Sequence, residues 1–135
     1  MIHSHRPAPA PARIPTARSL ADRSVRLAAE RHGAPTTLHL AHAALESPTA
    51  LARCLQDVGF RLQGLRGERA VREPEGLFDR VFSRARRLVV ARGEGEVSAT
   101  HLLAAALTEP QSALAAHAVS LSLDPGALAA RLVQL

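Results

Sequence analysis

TTLHLAHAAL (Thr36–Leu45) and SATHLLAAAL (Ser98–Leu107) are the two stretches on which the fold of this chain turns. Each opens on hydroxyl residues, carries a histidine at its fourth position and runs on in Leu and Ala. Ser and Thr favour helix starts because their side chains satisfy amide donors that lack intrahelical partners. Ala and Leu are strong helix formers, and neither stretch shows the apolar–polar alternation of a half-buried strand. Both therefore read as short apolar helices, the first opened by Thr36 or Thr37 and the second capped by Ser98.

Outward from these stretches the neighbours repeat as well. A shift of 60 places Ala21 on Val81, Val25 on Ala85, Ala28 on Leu88, Ala29 on Val89 and Gly33 on Gly93. A shift of 62 then superposes His39-Leu40 on His101-Leu102, Leu45 on Leu107 and Pro48 on Pro110. A shift of 63 carries Leu51 onto Leu114, Val58 onto Leu121, Phe60 onto Leu123 and Leu65 onto Leu128. Ala-rich helices align by chance, but chance does not also place Gly, His and Pro in step. The chain is expected to be two copies of a four-helix unit. Each copy, at about 55 residues, is small for burying a core alone, so the copies are expected to pack as a pseudo-twofold pair.

The individual helices follow from local signals. Ser19, with Asp22 three residues on, is expected to cap the first helix, whose inner face carries Ala21, Val25 and Ala28 and which Gly33 ends. Pro48 and Pro110 are read as first-turn residues of the third helix of each unit. The first of these carries Leu51, Leu55 and Cys54 inward and stops at Gly59. A fourth helix is expected over 62–71, weakened by Gly64 and Gly67. Glu73-Pro74-Glu75-Gly76 reads as a turn. Phe78, Val81, Phe82, Ala85, Leu88 and Val89 mark one face of the next helix, broken by Gly93 and Gly95. Asp124-Pro125 pairs a cap with a first-turn proline and opens the last helix. The fold class expected is all-α, with about eight helices in two tandem four-helix repeats: residues 19–72 and 77–135.

Composition bounds the function. Apolar residues make up 47% of the 135 residues, enough for one core, and aromatics only 2%. All 17 basic residues are Arg, set against 12 acidic ones. Residues 1–18 hold three Arg and no acid; the remaining 117 hold 14 Arg against 12 acids, a balance of +2. The Pro/Ala/Arg stretch of residues 1–18 is expected to be a disordered tail. A body so close to neutral favours solvated helix faces over nucleic-acid binding. The alternative function, a small helical nucleic-acid-associated protein, would use the Arg/Pro tail as a phosphate-seeking arm. One Cys excludes an internal disulfide and a zinc ribbon. No apolar run approaches the ~20 residues that span a bilayer, and the start lacks a signal-peptide core. The expected address is cytoplasmic, without membrane contact, and the expected state is monomeric.

No pattern points to catalysis. There is no GxSxG elbow, no HExxH, no GxxxxGK[ST] phosphate loop and no dinucleotide glycine motif. His3 with His5, and His39 with His42, fall short of the ligands that zinc requires. Neither cofactor nor metal is expected. Cys54 reads as a structural thiol, and His32 and His117 as partly exposed surface residues. His39 and His101, at equivalent helix starts, are assigned a structural role on neighbouring backbone groups. Phe78 and Phe82 share a helix face and either join the two units or line a peptide groove. With Arg84 and Arg87 they form the candidate protein-binding set.

The duplicated pieces, residues 28–65 and 89–128, resemble the double repeat at the amino end of the Clp AAA+ unfoldases. The resemblance rests on a long first helix, a Gly turn and a helix opening in His-Leu, and covers about residues 18–135. It implies a mobile receptor module that binds substrates, adaptors or a Clp ATPase, here without the motor, and so modulates ATP-dependent proteolysis or quality control. In members resembling phosphoarginine receptors a Glu precedes the repeated His. Here those positions are Leu38 and Thr100, which carry no charge for a guanidinium, so phosphoarginine binding is not transferred.

Overall fold

A computed structural model describes residues 12–30, 33–67, 72–93 and 95–135. Among them the chain forms eight helices and no strand: α1 Ala17–Ala29, α2 Thr37–Leu45, α3 Ala50–Asp57, α4 Leu62–Gly67, α5 Leu77–Ala91, α6 Ala99–Thr108, α7 Ala113–Ser120 and α8 Pro125–Leu132. The all-α class with about eight helices is what the hydrophobic periodicity predicts.

α2 and α6 form the centre of the fold. A helix that is apolar on every side has to be surrounded. α6 is buried from Ala99 through Leu107 and packs against α1, α2, α5, α7 and α8. α2 packs against α1, α3, α4, α6 and α7. Leu40, Leu102 and Leu103 are fully buried, together with Leu51, Phe60, Leu77, Leu114 and Leu132 from the surrounding elements. The many alanines of α2 and α6 let neighbouring helices approach closely.

Helix starts are set by hydroxyl and carboxylate caps. Thr49 Oγ1 accepts from Ala52 N at 3.0 Å, Ser112 Oγ from Ala115 N at 3.0 Å and Asp124 Oδ1 from Gly126 N at 3.0 Å. The prolines expected to open α3 and α7 stay in the loops ahead of these caps, because the hydroxyl one or two residues later satisfies an amide that proline cannot. Pro125 does occupy the first turn of α8. The first helix begins earlier than Ser19. Its cap is Thr16, whose hydroxyl accepts from Ser19 N at 3.1 Å, and Ala17 is already in the core. The tail expected over residues 1–18 is thereby corrected for residues 12–18, which belong to the folded body; residues 1–11 lie outside the described residues.

Two further expectations are corrected. The buried stripe of α1 is Ala17, Leu20, Ala21, Ser24 and Ala28, which leaves Val25 47% exposed. The buried stripe of α5 is instead Leu77, Val81, Ala85 and Val89. The same sequence register therefore turns slightly different faces inward in the two long helices. His117, expected near the surface, is 7% exposed. Its ring lies 5.5 Å from that of Phe60, and its Cε1 would be 3.8 Å from a Cβ at Gly64, so α7 closes over the start of α4.

Helix ends follow glycine where the backbone demands it. Gly59 (φ +112°) follows α3 and Gly93 (φ +70°) follows α5, both in the left-handed region that favours residues without a Cβ. Gly33 N returns to Ala28 O at 3.0 Å beyond the end of α1. α4 ends at Gly67; the rest of the helix expected over 62–71 lies outside the described residues.

Candidate functional site

His39 and His101 act on backbone. His39 Nδ1 accepts from Thr36 N at 3.0 Å, and His101 Nδ1 accepts from Ser98 N at 3.1 Å. Each is the third helical residue of its capping box. An Nδ1 that accepts leaves Nε2 as the ring's donor. The pair is duplicated, and each member serves its own helix start.

The segments that lead into α1 and α5 run to the second helix of the opposite half. Ala99 N donates to Pro15 O at 2.9 Å, and Ala17 N to Val97 O at 3.0 Å. Residues 12–16 are tied further by Ala12 N, which donates to Pro48 O at 3.1 Å. Ahead of α5 the corresponding work falls to one side chain. Glu73 Oε1 accepts from Thr37 N at 2.8 Å, and Oε2 from Ala113 N at 2.8 Å. Oε2 also accepts from the Thr37 hydroxyl, whose oxygen in turn accepts from Leu114 N at 2.9 Å. A carboxylate thus sits at the amino ends of α2 and α7, where helix dipoles and free amides favour negative charge.

The four residues of the candidate binding set all lie on α5. Phe78 and Phe82 are half-buried, pack against the core and face each other with ring centroids 5.8 Å apart. Arg84 is engaged: Nη1 donates to Thr108 O at 3.0 Å, and Nη2 is 3.5 Å from Glu109 Oε2. It thereby satisfies the carbonyl end of α6. Arg23 Nε pairs instead with the side chain of Glu46, the residue that closes α2, at 2.9 Å from Oε1. Arg87 is exposed.

An open concavity lies on another face. A groove of about 440 Å³ runs between the end of α6, α7 and the start of α8. Leu107, Pro110, Ala115, Ala116, Val119 and Pro125 line it, and Val119 is 61% exposed. In the register of the repeat, the first half carries Glu46, Arg53 and Gln56 where the second carries Thr108, Ala116 and Val119. At two of the three, Ala116 and Val119, the second half is apolar where the first is polar. Sequence inspection could have found this difference by comparing the copies for what they do not share.

Cys54 is buried, and burial pushes its thiol up, with Asp57 adding to the rise and Arg131 opposing it. A raised thiol holds its proton at neutral pH and is a poor nucleophile. Among the described residues no three His, Cys, Asp or Glu side chains gather as a metal site, and no single helix is long and apolar enough to cross a membrane. No protein-family description matches the chain, and no curated protein is significantly similar to it.

Proposed function

We propose that this chain is a non-enzymatic protein-binding module of the Clp N-domain kind. It binds apolar segments of substrates or adaptors, or a Clp ATPase itself, and so modulates ATP-dependent proteolysis. In this reading the two four-helix copies are packed as a pseudo-twofold pair. Three observations support it: the eight-helix order, the twin capping histidines, and lead-in segments that each reach the second helix of the other half.

The observation that carries the binding role is the apolar groove around Val119. Valine at 61% exposure on a groove floored by Leu, Ala and Pro leaves apolar surface in water, which a partner's apolar side chain would cover. The groove, rather than the Phe78–Phe82 face, is therefore where the partner is placed. Neither Leu38 nor Thr100 supplies a carboxylate, so the ligand recognised is apolar rather than a phosphorylated guanidinium.

The test is a titration of labelled protein with a permanently unfolded chain, reduced and carboxymethylated α-lactalbumin, and separately with a Clp ATPase ring. Binding is expected to shift amide signals of residues 107–119 and to be lost in Val119→Glu. No shift with either probe, or equal binding by Val119→Glu, removes the proposal.

A further inference from the structure

The two lead-in segments offer a comparison internal to the molecule. Residues 12–16 are held by backbone hydrogen bonds from Ala12 N, Ala17 N and Ala99 N. Residues 72–76 are held otherwise. Among the described residues of this connector, every hydrogen bond to α2 and α7 goes to the Glu73 carboxylate. Among the described residues Pro74 O accepts from Leu77 N, at the start of its own helix. Arg72, Pro74, Glu75 and Gly76 are exposed, and Gly76 sits at φ +78° where the connector turns into α5.

We propose that residues 72–76 form a releasable strap, latched by the Glu73 carboxylate, whose opening loosens the first turn of α7. A segment anchored through several backbone groups opens only when the helices beneath it open. A segment anchored through one side chain detaches when that side chain rotates away, and such local openings lie well below the free energy of global unfolding. The consequence reaches α7 because Ala113 N and Leu114 N, its first two amides, bond to Glu73 and to the Thr37 hydroxyl that Glu73 orients. The next two residues, Ala115 and Ala116, are walls of the apolar groove. The strap thus sets the position of one groove wall. Its bearing on ligand affinity rests on the binding role proposed above; the opening itself does not.

Amide hydrogen exchange on the whole chain tests it. In the wild type, Thr37 and Ala113 are expected to exchange together, at least about tenfold faster than Ala99, whose amide is bonded to a backbone carbonyl, and than Leu103 in the core. Glu73→Gln is expected to speed Thr37, Ala113 and Leu114 by a further factor of about ten or more, with Ala99 and Leu103 lagging behind. Thr37 and Ala113 exchanging at the Leu103 rate in the wild type would overturn the proposal. So would equal acceleration of all these amides in Glu73→Gln. If that variant fails to fold, the wild-type comparison alone decides. Loss of exchange contrast refutes the strap, whereas failure of the unfolded chain to bind refutes only the groove's role.

Discussion

The hydroxyl of Thr37 accepts a hydrogen bond from the amide of Leu114 at 2.9 Å, across 77 residues of sequence. Thr37 is fully buried at the first turn of α2, and Leu114 lies in the first turn of α7. This oxygen also donates to Glu73. One side chain thus joins the two halves and completes the connector's anchor.

Thr37→Val keeps the shape but leaves the Leu114 amide without its acceptor and removes a donor from Glu73. A buried donor stripped of its partner costs about 1–3 kcal/mol. The midpoint of urea unfolding is expected to fall accordingly, while Thr37→Ser is expected to stay within about 1 kcal/mol of the wild type. Equal stability of Thr37→Val and wild type would show that the contact contributes nothing.

The twin histidines yield a second expectation. His39→Ala and His101→Ala each leave an N-cap amide without its acceptor, and each is expected to cost about 0.5–2 kcal/mol. Glutamine is a usual partner at this position of a capping box, so His39→Gln is expected to recover most of the loss. The two boxes stand at the starts of different helices, so their costs are expected to add within about 0.5 kcal/mol in the double variant.

Core and surface apolar residues are expected to separate cleanly. Leu102→Ala, at the fully buried centre of α6, is expected to cost about 2–5 kcal/mol. Val90→Ala, at a site 77% exposed, is expected to change stability by no more than about 0.5 kcal/mol. Thermal or urea unfolding of the two variants measures the contrast.

The buried Cys54 thiol is raised above the usual thiol range. Alkylation by iodoacetamide at neutral pH is therefore expected to be slower than that of a free exposed thiol, and to accelerate in denaturant. The linkage runs in one direction. The folded thiol keeps its proton to higher pH than the unfolded one, so the stabilisation is fully present below the unfolded thiol's range and falls as pH rises through the folded value. Cys54→Ala, which removes the titrating group, is expected to show a flatter stability profile over that alkaline window. A wild-type profile equally flat would contradict the raised thiol.

Much of the helix order is legible along the chain because its signals are local. A hydroxyl before an apolar run, Asp before Pro, and glycine after a periodic face each act within one helical turn. Ser98, Thr36, Asp124, Gly59 and Gly93 do in the structure what their neighbours predict. Where two competent signals lie close together, local information does not choose between them. Thr16 prevails over Ser19 because starting there buries Ala17. Thr49 and Ser112 prevail over Pro48 and Pro110 because an amide needs an acceptor and a hydroxyl provides it. The apolar groove is not legible from any one helix, because its walls come from the end of α6, α7 and the start of α8.

The amino-acid sequence alone determined that this chain is helical, roughly where its helices lie, and which two are apolar enough to need cover on every side. Spacing and composition suffice for that, since helix periodicity and capping act over three or four residues. Only the tertiary structure decided that Val25 faces solvent, that His117 lies against Phe60, and that Glu73 holds the first turns of α2 and α7. The last two of these outcomes depend on partners 36 to 77 residues apart. A side chain's role there is set by what the folded chain carries to it, and no window along the sequence contains that information.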